Sequence, residues 1–144
     1  MNANELTVSL ELAQELDKRG VRFGSYFCWS TQTYDGEPNV TAGWCLKNKS
    51  PFDIEAPTAG ELMAVLPNEI KRGGGSSATL KIMATDPVQV WYEDEWGDTL
   101  TAKDTRLSLG AMCGDTPQDA CAKMLIWLID NGHLTVNEKG EVVG

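Results

Sequence analysis

The sequence predicts one α+β domain: a mostly antiparallel sheet with about three helices, the C-terminal helix packed on the sheet. The chain has 144 residues, 42% of them hydrophobic and 23% charged, which is typical of one globular domain. Helical and strand-like segments alternate in the order α-β-β-α-β-β-β-α-β. Most neighbouring strands are joined by short connections, and short connections require antiparallel pairing.

The first third of the chain predicts a helix followed by a hairpin. The helix is expected over Leu10–Arg19, with Ser9 as its N-cap and Gly20 just past its end. Strands are expected over Ser25–Thr31 and Val40–Leu46, because both segments are apolar and flank a polar loop with an Asp-Gly pair.

The middle of the chain predicts a short helix and then three strands. Thr58 and Glu61 have the spacing of a capping box, and Pro67 stops the helix that they begin. Alternating apolar and polar residues predict the strands. They cover Ala78–Ala84, Val88–Glu93 and Thr99–Leu107.

The last helix has the clearest signals in the sequence. Thr116 is its expected N-cap, a proline fills the first helical position, and Gly132 ends it. Its apolar stripe consists of Cys121, Met124, Leu125, Leu128 and Ile129. Ile126 and Trp127 widen this stripe, so the helix is expected to be the largely buried centre of the fold. The tail, Leu134–Val143, predicts a short hairpin.

The charge of the chain limits its partners. Twenty-one acidic residues against 12 basic ones give a formal net charge of −9. This balance disfavours direct nucleic-acid binding, which requires Lys and Arg, and docking on anionic membranes. The sequence also lacks a basic segment followed by an apolar stretch near its N-terminus, so a cytoplasmic location is expected.

The cysteines and the one histidine give no catalytic or metal-binding pattern. Cys28, Cys45, Cys113 and Cys121 form no C-x-x-C pair and are interpreted as reduced thiols. His133 and Cys113 flank opposite ends of the last helix, about 20 Å apart at 1.5 Å per residue. No catalytic residue, cofactor or metal ligand is therefore assigned.

An acidic turn is the candidate partner contact. The turn begins at the last residue of a predicted strand and consists of Glu93, Asp94, Glu95, Trp96 and Asp98. It places a large aromatic ring among carboxylates. Aromatic side chains are enriched at binding hot spots, which favours a contact site. The alternative is an ordinary solvated turn. A different binding surface would arise if Trp29, Trp44 and Trp91 shared one open face of the sheet.

Three segments resemble a known group of proteins. They are Ser9–Leu16, Ala56–Leu62 with its PT-x-x-E-L pattern, and Asp115–Gly132 with its DT-x-x-x-A-x-A-K-M-L-I pattern. Together they resemble uncharacterised small proteins encoded by bacteriophages and prophages. The resemblance covers helix starts and core stripes, so it implies a fold and no particular activity.

These observations favour a non-enzymatic phage or prophage accessory protein. It would bind a host or phage protein in the cytoplasm of the bacterial host, and whether it forms a homodimer stays open. The alternative is a small-molecule-binding protein or an enzyme that uses an aromatic-lined face of the sheet. A pocket lined by Trp and Tyr with converging polar groups would favour that alternative.

Overall fold

The computed structural model describes residues 3–30, 36–42, 53–71, 77–94 and 112–144. The helices are α1 (Ala3–Leu6), α2 (Leu10–Lys18), α3 (Ala59–Val65) and α4 (Pro117–Asp130). The strands are β1 (Phe27–Ser30), β2 (Asn39–Ala42), β3 (Asp53–Glu55), β4 (Glu69–Lys71), β5 (Ser77–Met83), β6 (Val88–Asp94), β7 (Met112–Gly114), β8 (Thr135–Val136) and β9 (Val142–Val143). Within these residues they form antiparallel sheets ordered β2-β1-β3, β4-β5-β6-β7 and β8-β9. The predicted α+β class is confirmed.

Local capping explains where α3 and α4 begin. The Thr58 hydroxyl accepts the Glu61 N–H, and the Glu61 carboxylate accepts the Thr58 N–H, so the predicted capping box is present. Thr116 likewise accepts the Asp119 N–H at the start of α4.

Ser9 is the N-cap residue of α2, as predicted. Its side chain makes no capping hydrogen bond. Its backbone N–H instead donates to Asp119 Oδ1 at 2.9 Å, which ties the start of α2 to the first turn of α4.

Helix α4 is the central packing element, as predicted. It contacts α2, α3, β6 and β7. Its buried side chains include Cys121, Met124, Leu125 and Leu128. Close approach to β7 requires Gly114, because a Cβ there would lie 2.6 Å from the Ala120 backbone nitrogen.

Both predicted hairpins are present, the adjacent strands β5 and β6 also pair, and several short strands were not predicted. β1 pairs with β2, β5 with β6 and β8 with β9. Strands β3, β4 and β7 have three residues each, too few to show a period of two in the sequence. The predicted strand Thr99–Leu107 lies outside the described residues.

Two further findings concern membrane-spanning helices and the state of the cysteines. No helix in the described ranges is long and apolar enough to cross a membrane. Cys28 is disulfide-bonded, so its interpretation as a reduced thiol was wrong. Cys113 and Cys121 are free, and Cys45 lies outside the described residues.

Candidate functional site: a groove between two helices

The acidic turn predicted as a partner contact is only partly described. Glu93 and Asp94 are the last two residues of β6, where Glu93 pairs in register with Thr79 of β5. Glu95, Trp96 and Asp98 lie outside the described residues. The predicted role of this turn therefore stays a prediction.

The predicted tryptophan face does not include both Trp29 and Trp91. Trp29 lies on β1 of the three-stranded sheet, and its indole N–H donates to the Val8 carbonyl at 2.9 Å. Trp91 lies on β6 of the four-stranded sheet, on the opposite face from the buried Val90 and Tyr92. Trp44 is outside the described residues. Trp29 and Trp91 therefore cannot line one sheet face.

Two of the carboxylates near the core hold the backbone in place. Glu55 is 9% exposed and accepts the N–H groups of Phe23 and Ser25, each at 3.0 Å. Glu61 accepts the Ser25 hydroxyl at 2.9 Å in addition to its capping bond. These hydrogen bonds fix the segment between α2 and β1 against the start of α3. Among the described residues, no group of three or more Cys, His, Asp and Glu side chains is placed to hold a metal ion.

A groove between α2 and α4, which we call the α2–α4 groove, has a mainly apolar floor. Its volume is about 320 Å³ and it is open to solvent. The floor is formed by Leu12 of α2, Met112 of β7, and Ile126 and Trp127 of α4. All four side chains are partly buried and pack on the core, so the groove continues the core to the surface.

Hydrogen bonds hold the polar rim of the groove in place. Arg19 donates from Nε and Nη2 to the two carboxylate oxygens of Asp130, at 2.8 and 2.7 Å. The same guanidinium donates from Nη1 to Glu15 Oε2 at 2.9 Å. Across the groove, Lys123 Nζ donates to the Cys113 carbonyl at 2.8 Å. This rim is preorganised because its charged side chains already have partners.

The arginine changes the ionisation of both carboxyl groups that it binds. Its hydrogen bonds lower the pKa of Glu15 and the pKa of Asp130. The two carboxylates in turn raise the pKa of Arg19. Glu15 also accepts from Lys18 Nζ at 3.2 Å, so Arg19 and Lys18 balance the charges of Glu15 and Asp130. The two carboxylates are 42% and 48% exposed, so this side of the rim is accessible to a partner.

Two of the groove residues on α4, Ile126 and Trp127, were assigned to the core from the sequence. Lys123, Ile126, Trp127 and Asp130 recur at i, i+3, i+4 and i+7 and so share one helix face. The sequence signal for this second face is that α4 has more apolar residues than its buried stripe contains. The additional residues are Ile126 and Trp127. Sequence alone could not place α2 beside that face.

Comparison of the chain with protein-family models, with curated proteins and with solved structures found no match. The resemblance to phage-encoded proteins therefore stays a prediction.

Proposed function

We propose that this chain is a non-enzymatic binding protein that holds a segment of another protein in the α2–α4 groove. The chain would be a phage or prophage accessory protein. Its partner would be a host or phage protein in the bacterial cytoplasm. The observation that carries the proposal is an open, apolar groove, about 320 Å³ in volume, that contains a tryptophan and has a fixed polar rim. Tryptophan in such surroundings is typical of binding hot spots.

The groove favours an amphipathic helix with basic residues as its occupant. Helices commonly bind in apolar grooves through side chains at i, i+3, i+4 and i+7. The exposed carboxylates of Glu15 and Asp130 can pair with basic side chains of an occupant, in exchange for their present pairs with Arg19 and Lys18. The net charge of −9 would also accelerate association with a basic partner.

The hydrogen bonding of the rim supports binding over catalysis. Glu15, Asp130 and Lys123 are each held by a protein group, and the Asn131 side chain donates to the Trp127 carbonyl at 2.9 Å. A catalytic acid, base or nucleophile needs a free position beside the substrate. These rim groups instead form the polar border expected around an apolar contact.

A synthetic peptide provides the first test. The probe is a Leu/Lys amphipathic helix of about four turns (~14 residues), and Ser replaces Leu in a control peptide of the same charge. We expect the Leu/Lys peptide to bind saturably and to shift the Trp127 indole signal in NMR spectra. The Ser-containing peptide should bind at least about tenfold more weakly, because it cannot fill the apolar floor.

Matched protein variants locate the binding surface. Ile126→Ser removes part of the groove floor, whereas Ile82→Ser changes an isoleucine that is 38% exposed on β5. Ile126→Ser should weaken peptide binding about tenfold, and Ile82→Ser should leave it unchanged. Equal affinities of the two folded variants would exclude the groove as the binding site.

The disulfide of Cys28 counts against the cytoplasmic part of this proposal. Disulfides persist mainly in oxidising compartments and are rare in the reducing cytoplasm. The cytoplasmic location can be tested by alkylating the protein directly in cells and measuring whether Cys28 is modified. A reduced Cys28 would support a cytoplasmic location, and a disulfide would place the partner in an oxidising compartment.

A further inference from the structure

A second cavity, which we call the β4–β8 pocket, lies between β4 and the turn that follows α4. Its volume is about 450 Å³, within the range of small-molecule sites. It is lined by Pro67, Glu69, Ile70, Lys71, Gly132, His133, Leu134 and Gly144. The apolar part of the lining consists of the partly exposed Pro67 and the small exposed parts of Ile70 and Leu134, which are 8% and 5% exposed.

The polar side chains of this pocket have no partner within the described part of the chain. Glu69 and Lys71 lie two residues apart on β4, on the opposite face from the buried Ile70. Their Cα atoms are therefore roughly 6.6 Å apart at about 3.3 Å per residue. No ion pair joins these two side chains, although their charges are opposite. Both are available to a ligand.

His133 is held in one orientation at the same pocket. Gly132 has φ +78°, a left-handed conformation that reverses the chain after α4. The His133 N–H then donates to the Leu128 carbonyl at 2.9 Å, and the imidazole stacks on Trp127 with ring centroids 5.2 Å apart. No hydrogen bond occupies the ring nitrogens of His133 among the described residues. The stacking therefore orients the imidazole and leaves its ring nitrogens without a hydrogen-bond partner among the described residues.

We infer that the β4–β8 pocket binds a small zwitterionic molecule with an apolar body, such as an amino acid or a close chemical relative. Lys71 and the imidazole of His133 provide two groups for an anionic end, and Glu69 provides one for an ammonium group. Opposite charges that share one strand face without pairing fit a ligand that carries both charges. The β4–β8 pocket shares no lining residue with the α2–α4 groove, although Trp127 of the groove stacks on His133 of the pocket.

Three small molecules test the inference on the full chain. L-Phenylalanine carries both charges, 3-phenylpropanoate lacks the ammonium group, and phenethylamine lacks the carboxylate. His133 is the only histidine in the sequence, so its ring protons give an unambiguous NMR signal. We expect L-phenylalanine to shift that signal saturably. Each molecule that lacks a charge should bind about tenfold more weakly.

Three variants separate the contributions of the two charges. Lys71→Gln should remove the advantage of L-phenylalanine over phenethylamine, and Glu69→Gln should remove its advantage over 3-phenylpropanoate. Lys81→Gln changes an exposed lysine on β5 that does not line the pocket, so it should leave all three affinities unchanged. Equal binding of the three molecules to the unmodified chain, or no shift of His133 with L-phenylalanine, would overturn the inference.

Discussion

The described cysteines differ in chemistry because their surroundings differ. Cys28 is buried on β1 and disulfide-bonded. Cys121 is fully buried on α4, where desolvation of the thiolate raises the pKa of its thiol to about 11. Cys113 is half-buried on β7 and free. Reactivity with an alkylating reagent should follow these differences, because the thiolate is the nucleophile.

We therefore predict an order of alkylation for protein prepared without reductant. Iodoacetamide at mildly alkaline pH should modify Cys113 in the folded protein and Cys121 only after unfolding. Cys28 should stay unmodified until the disulfide is reduced, and peptide mass spectrometry measures all three. Alkylation of Cys28 in denatured, unreduced protein would contradict the disulfide. Modification of Cys121 as fast as Cys113 in folded protein would contradict its burial.

At the residue scale, sequence predicts a contact when its two partners are close in the chain. The Thr58–Glu61 capping box follows from a spacing of three residues, and it was predicted correctly. The contact that actually fixes Ser9 is with Asp119, 110 residues away. No local pattern marks such a pair, so the sequence indicates the N-cap position of Ser9 but not this bond.

At the element scale, Arg19 joins α2 to the C-terminal turn of α4. It lies between Glu15, one turn earlier on α2, and Asp130, the last residue of α4. The guanidinium lowers the pKa of both carboxyl groups, so the folded state holds them ionised. As pH falls, the unfolded chain binds protons before the folded chain does. The stabilisation is therefore fully present above the ordinary carboxyl pKa and is lost as pH falls through the lowered values.

Asp130→Asn should accordingly cost stability near neutral pH and very little at acidic pH. We expect a decrease in the free energy of unfolding below about 1 kcal/mol at pH 7, because Asp130 is almost half exposed. The difference from the unmodified chain should shrink as the pH falls from about 6 to about 3. Urea denaturation at a series of pH values measures it. A difference that stays constant over that range would contradict the ion pair.

Asp119 provides a control with the opposite sign. Burial raises the pKa of its carboxyl group, against the lowering effect of the Ser9 N–H. The folded chain therefore binds this proton more tightly, and the associated stabilisation is lost as pH rises through the raised value. Asp119→Asn should thus gain stability relative to the unmodified chain as pH rises, while Asp130→Asn loses it. The same trend in both variants would rule out the assigned causes.

The elements differ in how far the sequence could predict them. Helix α4 was predicted because its cap, its proline, its apolar stripe and its terminal glycine all lie within the same short segment. Strands β3, β4 and β7 are defined by pairing with partners and not by their own residues. The α2–α4 groove requires two helices that are separated by almost a hundred residues in the chain. Its floor could be recognised only once both helices were placed.

At the scale of the whole molecule, one core connects the described elements. Its buried side chains extend from Val8 to Leu134 and include residues of α2, α3, α4 and the four-stranded sheet. Trp29 and Ile54 of the three-stranded sheet pack against the same core. Both larger sheets therefore pack on one shared core, and unfolding of one should unfold the other.

Leu125→Ala tests this dependence, because Leu125 is fully buried near the middle of α4. The cavity should cost about 2–5 kcal/mol and lower Tm by roughly 6–15 °C for a chain of this size. Circular dichroism and tryptophan fluorescence should report one coincident transition in both proteins, shifted equally by the substitution. Met63→Ala, at a side chain 37% exposed on α3, is the control and should change stability by less than about 0.5 kcal/mol. Two separated transitions in either protein would mean that the sheets unfold independently. Sheets that share one core should instead unfold in a single transition.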